Sequence, residues 1–153
     1  MNVDITRDID FVKSVVVDNI LFSDIKTSLI HGFGLFATQS ISKGSIIGLL
    51  DGQLMSWEHY EHIENKIKND MGMYENYIFM EWNAIDEDTL LVRPLRTKYS
   101  YINHSYKPNL EIKYNPMRIV AIEEIKKNDE FTLDYSKEPL RKEYRQGHGA
   151  TYL

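Results

Sequence analysis

The sequence predicts a mostly β fold made of several short sheets, with one inserted helix and a C-terminal helix. Short segments rich in Val, Ile, Phe and Tyr recur between turn-forming Gly, Asn, Asp and Pro residues, which is the pattern of short strands. One stretch, from Ser56 to about Met71, instead spaces its apolar residues by three and four: Trp57, Tyr60, Ile63, Ile67 and Met71. That is the period of an amphipathic helix. At 153 residues and 42% hydrophobic, the chain suits a single domain with its own core.

Taken in order, Val12 to Val17 is apolar and β-branched, and Ile20-Leu21-Phe22 with Ile25 continues the pattern across Asp18-Asn19. Residues 1–29 are therefore expected to form an N-terminal strand or hairpin packed on the domain. His31 to Ala37, Ser42-Lys43-Gly44 and Ser45 to Leu50 read as loop with short strand, turn, and strand. Ser56 is placed to cap the helix, and Glu58, Glu61, Glu64, Lys66 and Lys68 supply its polar face. Tyr77 to Met80 and Thr89 to Val92 read as strands around the acidic turn Asp86-Glu87-Asp88.

Leu110 to Tyr114 and Arg118 to Ile122 form a hairpin turned by Asn115-Pro116. Lys126 to Asp129 is a turn, Phe131 to Tyr135 a last strand, and Lys137 to Gln146 a mixed-charge helix.

There is no cysteine, which excludes disulfides, thiolate zinc clusters and a cysteine nucleophile. The start Met1-Asn2-Val3-Asp4 shows no signal region, and no apolar run approaches the roughly 20 residues of a membrane helix. No membrane association is expected, and the location is cytoplasmic where the protein is made. A net charge of -5 disfavours direct nucleic-acid binding, which rests on clustered Lys and Arg, and suits a basic partner.

The most chemically dense stretch is Tyr101 to Asn109, with two amides, an imidazole, a hydroxyl, two phenols and a proline in nine residues. Such a segment must satisfy its polar groups on backbone or ligand. Other signals are weak when taken singly. Gly32-Phe33-Gly34 lacks the third glycine of a dinucleotide fingerprint, His59 and His62 lack zinc-motif spacing, and His104-Ser105 lacks a nucleophile elbow. No metal site is expected.

Order and spacing change this. Gly32-Phe33-Gly34-Leu35-Phe36-Ala37, then Ile102-Asn103-His104-Ser105-Tyr106-Lys107-Pro108-Asn109, then Asp129-Glu130-Phe131-Thr132-Leu133-Asp134-Tyr135 resemble, in sequence, three motifs of the SET-domain protein lysine methyltransferases. The resemblance runs from about Ile30 to Tyr135 and implies a domain over 30–136 with a helical insert at about 56–71, followed by a tail over 137–153 that closes the cofactor pocket. It implies a β-clip, SET-like fold with a knot-like crossing of the Asn-His segment and the last strand. It implies S-adenosylmethionine as cofactor, with Gly32, Phe33 and Gly34 as a backbone wall, Asn103 and His104 opposite, and Tyr101 nearby. Tyr135 becomes the catalytic tyrosine, and Tyr77, Phe79 and Leu133 are expected to wall a lysine channel.

The implied partner is a basic protein or peptide such as a histone tail, met by a monomer or homodimer. With histones as substrate, a nuclear or host-nuclear location follows. Several positions depart from the family pattern. Leu50 precedes Asp51-Gly52-Gln53 where many members have a tyrosine, Ser100 replaces a common arginine, Tyr106 replaces the usual cysteine, and Leu133 replaces an aromatic. The family's cysteine-rich flanks are absent, so pocket closure is assigned to Leu140, Tyr144, Tyr152 or Leu153, or to a second subunit. The alternative is a non-catalytic SET-like module that binds peptide or cofactor.

Overall fold

The structure, a computed structural model, describes residues 7–71, 81–147 and 149. In chain order its elements are α1 (Ile9–Val15), β1 (Ser23–Thr27), β2 (Phe33–Ala37), β3 (Ile46–Leu49), β4 (Gln53–Ser56), α2 (Trp57–Met71), β5 (Glu81–Ala84), β6 (Thr89–Arg93), β7 (Asn103–His104), β8 (Leu110–Lys113), β9 (Arg118–Ala121), β10 (Thr132–Leu133) and α3 (Lys142–Gln146). Short sheets with an inserted helix and a C-terminal helix are what the sequence predicts. The expected strand at Tyr77 to Met80 lies outside the described residues. The described residues fall into two units, one within Met1–Leu50 and Arg96–Tyr135, the other within Asp51–Leu95 and Ser136–Leu153.

In the first unit, β1 and β2 pair antiparallel with Ile25 opposite Leu35, and both side chains are fully buried. β3, β9 and β8 form a three-stranded antiparallel sheet. β7 and β10 pair in parallel, Asn103 opposite Thr132 and His104 opposite Leu133. A parallel pair needs a crossover, and residues 105–131 supply it. The turns fall as predicted: Ser45 N–H donates to Ser42 O at 3.1 Å and Asp129 N–H to Lys126 O at 3.1 Å, with Gly44 at φ 88° and Asn128 at φ 74°.

The N-terminal reading needs correction, because Ile9–Val15 is a helix and not a strand. Asp8 caps it, its carboxylate accepting from the Asp10 and Phe11 amides at 3.0 and 3.1 Å. The cap and one buried contact at Val12 outweigh the β preference of the valines. Lys13 then ties the helix to β1 through Asp24 at 2.8 Å. Burial raises the Asp24 pKa, but the hydrogen bond and charge of Lys13, the Ile25 amide and the charge of Lys26 together outweigh it and hold the carboxyl below its ordinary range.

The second unit packs α2 on the antiparallel sheet β4-β6-β5. Ser56 Oγ accepts the His59 amide at 3.1 Å, so the predicted cap is present. Trp57, Tyr60, Ala84, Leu90, Val92 and Leu140 form its core, with Trp82 and Tyr144 half-buried against them. The C-terminal helix is shorter than Lys137 to Gln146. Pro139, which has no N–H and pushes Glu138 out of the helical region, delays the start of α3 to Lys142.

Candidate active site

The polar segment Tyr101 to Asn109 satisfies its side chains largely on the first unit's own backbone. Asn103 Nδ2 sits 3.2 Å from the carbonyls of His31 and Phe33, 3.2 Å from Ser28 Oγ and 2.8 Å from Glu130 Oε1. It thereby joins β7 to the loop between β1 and β2. Gly32, in that loop, has φ 47° and open space where a Cβ would stand. Gly34 differs, because a Cβ there would overlap the Glu130 carboxylate. The first glycine serves a positive-φ turn with open space beside it, while the second admits an internal side chain.

His104 accepts the Tyr135 amide on Nδ1 at 3.0 Å, so its ring proton belongs on Nε2. Nε2 is buried and has no hydrogen-bond partner among the described residues. The Tyr135 ring lies 5.4 Å from the imidazole, between centroids, and its hydroxyl donates to the Ile102 carbonyl. Tyr135 is half-buried and begins a single 3₁₀ turn. The predicted last strand is thus only Thr132–Leu133.

Asn109 finishes the construction. Its Nδ2 donates to Glu130 O at 2.8 Å and its Oδ1 accepts Thr132 N–H at 2.9 Å. Ser105 N–H bonds Leu133 O at 2.9 Å while its hydroxyl accepts the Lys107 amide at 3.1 Å. Ser105 is therefore a turn former.

Of the expected site residues, the structure brings together Gly32, Phe33 and Asn103 on one side, and His104, Leu133 and Tyr135 on the other. Leu133 is buried opposite His104. Tyr101 is buried, and its hydroxyl accepts from Arg96 Nη1 at 3.2 Å. Tyr77 and Phe79 lie outside the described residues. Glu130 and Ser28 were not foreseen; Glu130 stood in the closing motif, whereas Ser28 carried no signal.

A model of the SET domain matches residues 32–136. The chain belongs to the SET-domain family. The matched span includes all three motifs, and because the chain holds no cysteine this SET domain carries no cysteine-rich segment within it. Membership supports, in general terms, an S-adenosylmethionine-dependent, lysine-methyltransferase-like module. Comparison with curated proteins gave no match.

The departures acquire places in the SET domain. Leu50 is a buried core residue, its amide bonded to Met117 O at 3.0 Å. Tyr106 is 67% exposed and stands edge-on to the His104 ring at 4.5 Å. Leu140 and Tyr144, assigned to pocket closure, pack in the second unit's core, where Tyr144 lies 5.5 Å from Trp57 and 5.4 Å from Trp82. Tyr152 and Leu153 lie outside the described residues. His59 and His62 are on the exposed face of α2.

Proposed function

We propose that this SET domain methylates a lysine side chain of a basic protein, using S-adenosylmethionine, with Tyr135 as the catalytic residue. The observation that carries the reading is the double anchoring of Tyr135, by its amide to His104 Nδ1 and by its hydroxyl to Ile102 O. A phenol so fixed beside the Asn-His segment is pre-organised for orientation.

The residues fit the cofactor. The open space beside Gly32, the loop that Asn103 holds through the His31 and Phe33 carbonyls, and the partnerless buried Nε2 of His104 offer room beside a fixed backbone and one donor for a polar ligand. Gly32, Phe33, Asn103 and His104 would hold it, with Tyr101 nearby. When bound, S-adenosylmethionine supplies an electrophilic methyl on a sulfonium sulfur.

The chain's own task is to present a neutral amine in line with that methyl. From an ordinary lysine pKa of about 10.4, neutral amine at pH 7 costs about 4.6 kcal/mol. Burial shifts lysine down by up to roughly 3–5 units, which offsets the cost without a strong base. The Tyr135 hydroxyl, as donor or acceptor, then aligns the amine.

The net charge of -5 favours a basic substrate, and a histone tail is the class we propose. On this reading the protein acts in the cytoplasm where it is made, or in a nucleus, including a host's, where histones are found. Among the described residues no helix is long and apolar enough to cross a membrane.

Methyl transfer from labelled cofactor to histones and to a basic peptide library tests the reading. Tyr135→Phe should lower transfer by about a hundredfold, and unchanged activity would remove Tyr135 from its role. Asn103→Ala should weaken cofactor binding, and a normal affinity by calorimetry would contradict that placement. Tight cofactor binding without transfer to any lysine would favour the second reading, a non-catalytic module, which the aliphatic Leu50 supports.

A further inference from the structure

The loop from Ser28 to Phe33 leads into the family's first motif, and its shape rests on a carboxylate from the other end of the chain. Glu130 Oε1 and Oε2 accept Ser28 Oγ at 2.7 and 2.9 Å, and Oε1 also accepts Asn103 Nδ2 at 2.8 Å. Ser28 Oγ in turn accepts the Ile30 amide at 2.9 Å, and the Ser28 amide bonds Gly32 O at 2.8 Å. Asn103 has two amide protons for four acceptors, so the His31 and Phe33 carbonyls alone do not fix it.

Glu130 is therefore the group on which loop, Asn103 and Gly34 converge. Its donors are neutral, since among the described residues no Lys, Arg or His pairs with it. A half-buried carboxylate held by a hydroxyl and an amide gains charge-assisted hydrogen bonds while its remaining surface stays hydrated. Gly34 is the residue that makes room for it, because any Cβ would occupy the same space.

We infer that Glu130 and Ser28 are positioning residues that latch the Ser28–Phe33 loop to Asn103 and so set the affinity for the cofactor; this rests on the methyltransferase reading. Neither touches the reacting atoms. Their loss raises the cofactor's Kd and KM and leaves kcat at saturating cofactor, and KM for the basic peptide, near wild type. A residue serving global stability alone would produce no such split.

The test uses the full chain as wild type, Glu130→Gln, Ser28→Ala, Ser28→Thr and the Glu130→Gln/Ser28→Ala double variant. Calorimetry with S-adenosylhomocysteine, steady-state kinetics, and amide hydrogen exchange over residues 28–33 are the readouts. Glutamine keeps the shape but loses the charge and one acceptor, so a roughly tenfold weaker Kd is expected, with faster exchange at Ile30. Ser28→Ala should weaken binding similarly, Ser28→Thr should restore it, and the double variant should be no worse than the weaker single.

Two results would overturn the latch: exchange over 28–33 unchanged in both Glu130→Gln and Ser28→Ala, or an unchanged Kd in Glu130→Gln. Wild-type protein that binds no S-adenosylhomocysteine would overturn the cofactor reading, and the exchange measurement would still decide whether the latch holds the loop.

Discussion

The second unit contains a buried ionic network whose removal should be costly in a diagnostic way. Arg93 Nε donates to Glu81 Oε2 at 2.5 Å, Nη2 to Asn83 Oδ1 at 2.5 Å and Nη1 to Asp51 O at 2.8 Å. Glu81, Asn83 and Arg93 are 3%, 0% and 4% exposed, so the charges are largely out of water. Arg93→Met leaves the Glu81 carboxylate buried without that cation, and Asn83 Oδ1 and Asp51 O without that donor. Breaking a buried pair from one side costs about 3–5 kcal/mol. At about 2–4 °C per kcal/mol for a chain of this size, Tm should fall by roughly 6–20 °C. Trp57 and Trp82 are the only tryptophans and both lie in or against this core, so their fluorescence during guanidinium unfolding reports this unit. Glu81→Leu/Arg93→Met should be more stable than Arg93→Met, since it removes the stranded charge. A single variant within about 1 kcal/mol of wild type, or a double variant less stable than the single, would refute the network's role.

Three further outcomes follow. Burial, then the charge and hydrogen bond of Glu64, push the Tyr60 hydroxyl well above its usual range; a folded pKa above the unfolded one means stability that is complete below about pH 10 and lost as pH rises beyond it. Tyr60→Phe should flatten that alkaline decline, and a decline of unchanged steepness in circular dichroism would contradict the assignment. Gly34→Ala should push the Glu130 carboxylate aside, costing about 1–3 kcal/mol and weakening S-adenosylhomocysteine binding as Glu130→Gln does; calorimetry showing wild-type affinity would count against it. Leu140→Ala, a truncation in the core with Trp57 and Leu90, should cost about 2–5 kcal/mol, and a tryptophan-monitored unfolding midpoint that does not move would show that the segment after Tyr135 is not held there.

Local features were legible in the sequence, and long-range ones were not. The period of Trp57, Tyr60, Ile63 and Ile67 revealed α2 because one helical face repeats within a few turns, and the hairpin of β8 and β9 showed in its alternation and its Asn115-Pro116 turn. The helix α1 was hidden because its valines favour strands, although Asp8 carried a capping signal. The strands β7 and β10 contain two residues each, too few for any pattern. On β5, Glu81 and Asn83 alternate with Trp82 and Ala84 as a solvent-facing polar row would, yet they point inward, because their partner Arg93 is a strand away and invisible to a local reading. For the candidate site, motif order singled out Asn103, His104 and Tyr135, but the hydroxyl that Ser28 donates to Glu130 depends on a contact between residues 102 apart.

Two-residue strands cannot hold a parallel crossing by ladder bonds alone, and the composition of Tyr101 to Asn109 follows from that deficit. The Asn109 side chain bonds both Glu130 O and the Thr132 amide, which is what a neighbouring peptide would do, so an amide side chain replaces a missing ladder rung. His104 Nδ1 does the same for the Tyr135 amide, and Asn103 for two loop carbonyls. Asn109 and His104 thus serve the backbone first, at the place where β10 ends and Tyr135 begins. A substitution that keeps size but loses one of these functions, such as Asn109→Leu, would strip two backbone groups of their partners at once. Tyr135 follows Thr132 by only three residues, so the damage would reach the proposed catalytic hydroxyl before it reached the distant core.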